Sequence, residues 1–372
     1  MKILFFITED WFFCSHFIER AVAARDAGNE VVVLTHVGES ANAIRAAGIR
    51  VIPLQIQRRS FNLLREARVI YAVWKAYKNE KPDLVHQVAL KPILYGTLAA
   101  RFSRIKAIVN APVGMGYVFS SRTFLARALR PIVQLALRSL LNPPGSKVVF
   151  ENSDDVEWAI SSNLVRRDSA TLIRGAGVDL EKFCPRAKAT DLPLVVLSAR
   201  MLWDKGIREF VEASAILKSR GIQARFILVG GVDSDNPTSI PEAQLEQWAK
   251  EGVVEWWGHQ INMADVLEQA DIACLPSYRE GLPKSLIEAA ACGLPIVTTN
   301  VPGCREVVED GIQGLLVPER NALALAEALA RLISDPALRA RMGASARARA
   351  ESEFGKDAII DQTLKLYREI AP

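Results

Sequence analysis

Short apolar runs alternate with amphipathic stretches along most of this chain. In the first half, runs with the length and composition of buried strands occur at Ile3–Ile7, Val31–Leu34, Val51–Leu54, Asp83–Val88, Ala107–Asn110 and Val148–Phe150. Helical periodicity lies between them, most clearly at His16–Ala27, Asn62–Asn79 and Pro92–Ser103. Such alternation indicates βαβ units and a parallel sheet. We therefore predict that the first half is a doubly wound α/β domain.

The same pattern restarts after residues 175–185, a segment with two glycines and a proline that is typical of a connection between sheets. The second half has predicted strands at Leu194–Leu197, Phe226–Val229, Val253–Trp256, Ile272–Leu275 and Ile296–Thr299. A chain of 372 residues also exceeds the roughly 250–300 residues that one hydrophobic core supports. The sequence predicts an α/β protein of two Rossmann-like domains facing across a cleft.

We place the first domain at residues 1–178 and the second at residues 179–355. The amphipathic segment 356–372 is expected to form a helix that packs back on the first domain. Because open parallel sheets bind ligands outside the carboxyl ends of their strands, the active site is expected in the cleft.

Composition and charge narrow the possible functions. The chain is 50% hydrophobic and 24% charged, which is typical of a globular protein, and its net charge of +4 is modest. It has no block of lysine and arginine interleaved with aromatics, so we exclude nucleic acid as a partner. Five scattered cysteines suggest neither a disulfide framework nor a zinc site, which favours a reducing cytoplasm. No run of 18 apolar residues is present, so membrane attachment is expected to be peripheral.

A strand that leads into a helix in the second half has the composition of an anion site. After Ile272–Leu275, the chain runs through Glu280-Gly281 into a predicted helix with Pro283 near its first turn, where proline is favoured. The free N–H groups and positive dipole end of such a helix suit a diphosphate. Glu288 lies among apolar residues, where a buried carboxylate needs a partner such as a ribose hydroxyl. The alternative interpretation is that Glu280 is a loop carboxylate and that Glu288 is an exposed residue of the helix.

Two cations follow the first predicted strand of the second domain. Arg200 and Lys205 are five residues apart, so they can converge on one diphosphate, the arginine as a planar fork and the lysine as a point charge. In that position they would stabilise a leaving group. The alternative is that both are solvated surface residues.

Several motifs occur in a fixed order: Arg200…Lys205-Gly206, Gly230-Gly231, Trp257-Gly258, Pro276-Ser277, Glu280-x7-Glu288 and Thr298…Gly303-x2-Glu306. This order resembles the family 4 retaining glycosyltransferases, which have the GT-B fold, and the Glu-x7-Glu element is its most specific part. The resemblance implies catalytic roles for three residues: Arg200 and Lys205 would bind the donor pyrophosphate, and Glu280 would contact the transferred sugar. It implies donor-binding roles for Glu288, which would bind the ribose, and for Gly281, Leu282, Pro283, Gly230 and the Trp257–His259 loop near the base.

Further motifs resemble the branch of this family that extends lipid-linked sugars for bacterial surface polysaccharides and glycans: Asp10-Trp11-Phe12-Phe13-x2-His16, Lys91-Pro92-x2-Tyr95-Gly96 and Gly114-x-Gly116-Tyr117. That branch uses acceptors carried on undecaprenyl diphosphate. The resemblance implies retaining transfer of a hexose or N-acetylhexosamine from a nucleotide sugar, with UDP as the expected nucleotide, to a lipid-linked saccharide.

The first domain departs from the family pattern at two places. Many members have a Gly-Gly loop after the first strand and a histidine after the fifth strand that contacts the transferred sugar. This chain has Glu9-Asp10-Trp11 and Ala111-Pro112-Val113-Gly114 there. His16 and His86, both near the carboxyl ends of strands, are candidate catalytic replacements, although a lone histidine also suits a structural role.

Other functions fit parts of the pattern. A sugar-nucleotide epimerase could use the same fold and phosphate chemistry, but it needs no acceptor site. Residues 84–150 contain nine Lys/Arg and no Asp or Glu, which an anionic amphiphilic acceptor explains better. A non-catalytic subunit is disfavoured because Arg200, Lys205, Glu280 and Glu288 are all present.

Asp233-Ser-Asp235 matches the Asp-x-Asp pattern of metal-dependent transferases, which makes it a candidate metal site. The following Asn236-Pro237 is turn composition, so we interpret the segment as a turn. We expect no cofactor and no metal, with Arg200, Lys205 and the helix start in the metal's electrostatic role.

A basic stripe in the first domain suggests contact with a membrane. Within Phe119–Leu141, Arg127, Arg130 and Arg138 recur with Gln134 at helical spacing opposite apolar positions. Such a helix suits an anionic lipid interface, and the alternative is a helix docked on the sheet with solvated arginines. We expect a cytoplasmic protein on the inner face of the cell membrane.

Overall fold

The computed structural model describes residues 1–57, 62–113, 135, 137–185 and 192–371. The chain divides into two compact units. The first comprises Met1–Ala176 together with Ile359–Pro372, and the second comprises Gly177–Ala358. The chain thus passes between the units twice, close to the boundaries that the sequence predicts after residues 178 and 355.

The first unit contains a parallel sheet of seven strands in the order β3-β2-β1-β4-β5-β6-β7. Its strands are β1 (Lys2–Glu9), β2 (Glu30–His36), β3 (Arg50–Pro53), β4 (Leu84–Val88), β5 (Ala107–Ala111), β6 (Ser146–Phe150) and β7 (Ala170–Leu172). Its helices are α1 (Asp10–His16), α2 (Ile18–Asp26), α3 (Ala41–Ala46), α4 (Leu63–Glu80), α5 (Leu90–Ser103) and α6 (Ser153–Ser161). Alternate residues of β1 enter separate apolar clusters, Ile3 and Phe5 in one and Leu4 and Phe6 in the other, because both faces of the sheet are covered.

The second unit has a parallel sheet of six strands in the order β10-β9-β8-β11-β12-β13. Its strands are β8 (Leu194–Ser198), β9 (Arg225–Val229), β10 (Glu255–Trp256), β11 (Ile272–Leu275), β12 (Ile296–Thr299) and β13 (Gly314–Val317). Its helices are α7 (Ile207–Ser219), α8 (Glu242–Lys250), α9 (Met263–Gln269), α10 (Lys284–Ala291), α11 (Cys304–Val307), α12 (Ala322–Ser334) and α13 (Pro336–Arg349). Both units therefore have the strand order of a doubly wound Rossmann-like sheet.

Several elements differ from those that the sequence predicts. Strands β7 and β13 were not predicted, because one has only three residues and the other begins at a glycine. The strand predicted at Val253–Trp256 is confined to Glu255–Trp256. The helix predicted at His16–Ala27 is two helices separated at Phe17, whose φ of −128° is not helical.

The last helix, α14 (Lys356–Ile370), begins in the second unit and then joins the core of the first. Tyr367 is fully buried, and its hydroxyl lies 2.6 Å from Nδ1 of His86. The His86 ring also stacks on Phe5, with centroids 5.2 Å apart. Burial, with a smaller effect of the positive charge of Arg20, lowers the pKa of His86 to about 3. The histidine is therefore neutral at physiological pH.

Hydrogen bonds fix the chain near both of the places where it passes between the units. In the first unit, the buried guanidinium of Arg20 donates to the carbonyl of Gly175. In the second unit, Lys356 Nζ lies 2.6 Å from Asp179 Oδ2, and the backbone amide of Val178 donates to Phe354. Each crossing is thus tied to one unit within a few residues of the boundary.

None of the helices that the structure describes combines the length and the apolar character needed to cross a bilayer. The proposed arginine stripe of Phe119–Leu141 falls largely outside the described residues, and of its three arginines only Arg138, which is exposed, is described. The Gly114-x-Gly116-Tyr117 motif also lies outside them.

The buried histidine predicts a specific pH dependence of stability. The folded pKa of His86 lies below that of the unfolded chain, so its contribution is complete above about pH 6.5 and decreases as the pH falls toward 3. We expect the midpoint of thermal unfolding, Tm, to fall between pH 7 and pH 4.5 by less in His86→Asn than in the wild type. Calorimetry at both pH values measures this. A fall as large in the variant as in the wild type would contradict a neutral buried histidine.

Candidate functional site

Close backbone contacts hold together the loops at the carboxyl edge of the second sheet. Gly206, at φ +71°, lies so near the carbonyl of Pro276 that a Cβ atom there would overlap it. Gly303, at φ +81°, approaches the carbonyls of Glu280 and Gly281 in the same way. These glycines permit positive φ and a close approach that other residues would prevent. The loops after β8, β11 and β12 are therefore packed against one another.

Lys205 and Glu280 form an ion pair within this edge. Lys205 Nζ is 2.5 Å from Glu280 Oε1, and the exposed fractions of the two side chains are 20% and 11%. The backbone supports the pair, because the amide of Tyr278 donates to the carbonyl of Asp204 at 2.9 Å. The two residues come from loops separated by 75 positions, and the structure brings them into direct contact.

A second ion pair joins Arg200 to Asp233. Their side chains are 2.5 Å apart, Nη1 to Oδ2. Asp233 also begins the turn that the sequence predicts, since the amide of Asn236 donates to its carbonyl at 2.8 Å. The residues that the structure describes contain no group of three or more His, Cys, Asp or Glu that could hold a metal ion. The Asp-x-Asp segment thus holds an arginine of the site, a contact that the sequence gives no means to predict.

Helix α10 begins directly after the Glu280 loop and carries Glu288. Pro283 is its N-cap, one position before the first turn, and Leu282 is buried. Glu288 is 8% exposed, and its Oε1 lies 3.7 Å from Nζ of Lys284. Burial raises the pKa of Glu288, and the charges of Lys284 and Lys182 oppose the rise. The carboxylate is therefore costly to keep charged, as expected for a residue held for binding.

The remaining predicted donor residues lie on the neighbouring loops. The amide of Gly230 donates to Gly258 at 2.8 Å, and Trp256 Nε1 donates to Gly230 at 3.0 Å. Trp257 is half-buried against the apolar core, whereas the side chain of His259 is exposed. The loop after β10 is thus fixed to the loop after β9.

Two groups at this edge were not singled out from the sequence. Tyr278 donates from its hydroxyl to Glu209 Oε1 at 2.8 Å, which connects the loop of Glu280 to helix α7. Cys304 is fully buried beneath the same loop, and burial, with the nearby charge of Glu280, raises the pKa of its thiol to about 12. Cys304 is therefore a neutral packing residue. Neither has a spacing signal in the sequence, since both are defined by contacts between distant loops.

The two candidate histidines lie in the first unit. His16 ends α1 and stacks on Phe12, with centroids 4.2 Å apart and a partly exposed ring. His86 lies in the middle of β4 and is 1% exposed. Its packing under Tyr367 leaves no room for a substrate to reach the ring, so the structure gives no support to a catalytic His86. A catalytic His16 stays a prediction.

Solved structures share this fold. The Anabaena protein Alr3699/HepE in complex with UDP-glucose superposes with a TM-score of 0.80 at 21% identity, over 99% of this chain and 100% of that one. A sucrose-phosphate synthase from Thermosynechococcus elongatus gives a TM-score of 0.80 at 22% identity, over 100% and 99% of the two chains. The fold is therefore that of the GT-B class, with two Rossmann-like domains.

Sequence comparison identifies the family. Residues 180–349 match the model described as "Glycosyl transferases group 1", and residues 2–141 match "Glycosyl transferase 4-like". The chain is 30% identical to the N,N'-diacetylbacillosaminyl-diphospho-undecaprenol alpha-1,3-N-acetylgalactosaminyltransferase of Campylobacter jejuni, over 94% of this chain and 93% of that protein. It is 24% identical to the UDP-Gal:alpha-D-GlcNAc-diphosphoundecaprenol alpha-1,3-galactosyltransferase of Escherichia coli, over 83% and 81%.

The chain therefore belongs to the group 1, family 4-like glycosyltransferases, and it is a glycosyltransferase. The epimerase alternative finds no support among these relatives.

The burial of Glu288 predicts opposite effects of one substitution on binding and on stability. If Glu288 binds the ribose of a UDP-sugar, as the family resemblance implies, Glu288→Gln should weaken the affinity for UDP about tenfold or more, because a hydrogen bond to a charged group contributes about 1.5–3 kcal/mol. The same change should raise Tm at pH 7 more than at pH 4. Because burial raises the pKa of Glu288, ionisation of its carboxyl at higher pH destabilises the folded wild type, and a glutamine avoids this loss. Calorimetric titration and thermal unfolding measure the two effects, with the exposed Glu246→Gln as the control. Unchanged UDP affinity would remove Glu288 from the site.

Proposed function

We propose that this enzyme transfers a hexose or N-acetylhexosamine from a UDP-sugar to a saccharide on undecaprenyl diphosphate, with retention of the anomeric configuration. The acceptor class is supported by the Campylobacter and Escherichia relatives, whose names specify diphospho-undecaprenol substrates. The donor class is supported by the second unit, where two cations lie at the carboxyl edge of a Rossmann-like sheet. The product would serve polysaccharide or glycan assembly.

The observation that carries the reaction is the pairing of each cation with a carboxylate at this edge. Arg200 contacts Asp233 and Lys205 contacts Glu280, so both cations are held in place before the donor binds. A diphosphate carries more charge than one carboxylate and would replace these partners. Negative charge grows on the diphosphate as the sugar leaves, and fixed cations stabilise that charge most in the transition state.

The residues around the pairs supply the other donor contacts in this proposal. The start of α10 presents the backbone N–H groups of its first turn to a phosphate, after Gly281, Leu282 and Pro283. Glu288 accepts hydrogen bonds from the ribose, and Glu280, once displaced from Lys205, contacts the transferred sugar. The loop containing Trp257 and His259 lies beside the base.

We also propose that the enzyme works at the cytoplasmic face of the membrane and needs no metal ion. An acceptor on undecaprenyl diphosphate is embedded in a bilayer, which requires the enzyme to reach the membrane surface. Asp233, the residue that would have to coordinate a metal in the Asp-x-Asp segment, is already paired with Arg200.

The reaction is tested by incubating the protein with UDP-hexoses, UDP-N-acetylhexosamines and undecaprenyl-diphosphate-linked saccharides, with NMR of the product. We expect transfer with the anomeric configuration of the donor. An inverted linkage would overturn the proposed stereochemistry, and hydrolysis or epimerisation without transfer to any of these acceptors would overturn the proposed acceptor class.

Removal of either cation should depress turnover strongly. Lys205→Ala and Arg200→Ala should each lower kcat by about 100-fold or more, as for the loss of one group that stabilises transition-state charge. Steady-state kinetics measure this, with Lys250→Ala on the exposed face of α8 as the control. A loss below twofold in either variant would be incompatible with the assigned role.

Substitution of Asp233 distinguishes a metal ligand from a residue that only pairs with Arg200. If it only holds Arg200, Asp233→Asn should keep activity within about tenfold of the wild type, because donor phosphate takes its place in the loaded enzyme. Activity of both proteins should survive EDTA. Loss of activity in EDTA that magnesium or manganese restores, together with an inactive Asp233→Asn, would show that Asp233 coordinates a metal.

A further inference from the structure

The outer face of α4 carries cations and large apolar side chains in a single stripe. Leu64, Arg68, Tyr71, Lys75 and Lys78 follow at steps of four, three, four and three residues, which places them on one side of the helix. All five are exposed, Leu64 at 74% and Tyr71 at 60%. Tyr71 lies between the cations Arg68 and Lys75, and Leu64 precedes them, so this face combines positive charge with exposed apolar area.

The acidic residues of α4 point away from this stripe. Glu66 lies 3.0 Å from Lys91 Nζ and also accepts a hydrogen bond from Tyr95. Glu80 is paired with Arg50 and Lys2. The stripe is therefore positively charged along the whole helix, with no carboxylate of α4 to neutralise it.

The stripe continues into a basic cavity at the carboxyl ends of α4 and α5. The cavity has a volume of about 620 Å³, and its lining includes Lys78, Lys81, Arg104 and Lys106 together with the carboxylate of Asp83, which accepts a hydrogen bond from the backbone amide of Lys2. Among the described residues, none of these four cations has an ion-pair partner within 4 Å. Phe102, beside them, is 72% exposed.

Two of the cavity cations occupy an unusual backbone position. Lys81 and Arg104 end α4 and α5 in the left-handed conformation, with φ of 47° and 59°. Glycine is the usual residue there, because a side chain adds strain. Both helices instead end in a long cation next to the cavity, which concentrates charge where the apolar Phe102 is exposed.

We propose that the stripe and the cavity, together called the α4–α5 surface, bind the anionic surface of a lipid bilayer. The cations meet lipid phosphates, and the apolar side chains of Leu64, Tyr71 and Phe102 enter the interface between head groups and acyl chains. Charge complementarity identifies this occupant, because the cations of the surface have no ion-pair partner among the described residues and lie beside the exposed apolar side chains of Leu64, Tyr71 and Phe102. The inference deepens the proposed function, which places the enzyme at a membrane, by naming the residues that make the contact; vesicle binding itself requires neither donor nor acceptor.

The test is sedimentation of the full chain with vesicles of phosphatidylcholine alone or mixed with phosphatidylglycerol. We expect binding to the mixed vesicles at low salt and release as salt screens the charges. The variant Arg68→Gln/Lys75→Gln/Lys78→Gln should bind at least about tenfold more weakly, since each cation near an anionic surface contributes roughly fivefold. The variant Tyr71→Ser/Phe102→Ser should also weaken binding. Because it removes no charge, the salt dependence of binding should stay as in the wild type.

A matched control removes the same charge elsewhere. The variant Arg45→Gln/Arg167→Gln/Arg220→Gln removes three exposed cations that lie off the α4–α5 surface. This variant should bind vesicles as the wild type does. Equal loss in the two triple variants, equal binding of the wild type to neutral and anionic vesicles, or no binding to either would overturn the proposal. Thermal unfolding establishes that each variant is folded.

Transfer measured in detergent separates this inference from the proposed function. The stripe residues touch no predicted donor or catalytic group, so the stripe variant should keep wild-type turnover on an acceptor dispersed in detergent. Loss of vesicle binding with full turnover supports the membrane role. Vesicle binding by a wild type that transfers no sugar would refute the reaction and leave the surface assignment intact.

Discussion

The second unit depends on close backbone approach between loops that come from different strands. Gly206 lies against Pro276, and Gly303 lies against Glu280 and Gly281, at separations that leave no space for a side chain. This packing fixes the positions from which Lys205 and Glu280 project. Their ion pair is therefore a consequence of how the sheet edge is assembled, and an alanine at Gly206 or Gly303 would displace the loops before it altered any charge.

The sequence predicts most of the fold because its strands are buried on both faces. Continuous apolar runs such as Ile3–Ile7 and Ile272–Leu275 give a signal that does not depend on tertiary context. Strand β13 escapes prediction because Gly314 begins it, and a glycine at that point is required by the neighbouring carbonyl of Ile296. Short strands of this kind are stabilised by their neighbours and carry little signal of their own.

The sequence predicts only part of the candidate site, because some of its residues are marked by local neighbours and others by contacts between distant loops. Glu288 could be identified because its apolar neighbours lie on the same helix, within a few residues. The partners of Arg200 and Lys205 could not, because Asp233 and Glu280 reach them from other loops. His86 illustrates the reverse case, since the sequence places it near a strand end, where chemistry is expected, whereas the structure places it in the middle of β4 and buries it against Tyr367, 281 residues away. Local pattern thus identifies residue types, and long-range contacts decide their roles.

The path of the chain through the two units also sets an order of folding during synthesis. The first unit includes most of α14, with Tyr367 packed on His86, and this part of the helix is made after the whole of the second unit. The second unit, Gly177–Ala358, is complete before that helix emerges. Whereas domains generally fold from the N-terminus as they are made, the N-terminal core here stays incomplete, with Phe5 not yet covered by Tyr367, until α14 has been made. A nascent chain that stalls before α14 is made would leave the apolar side chains that pack on this helix exposed to water.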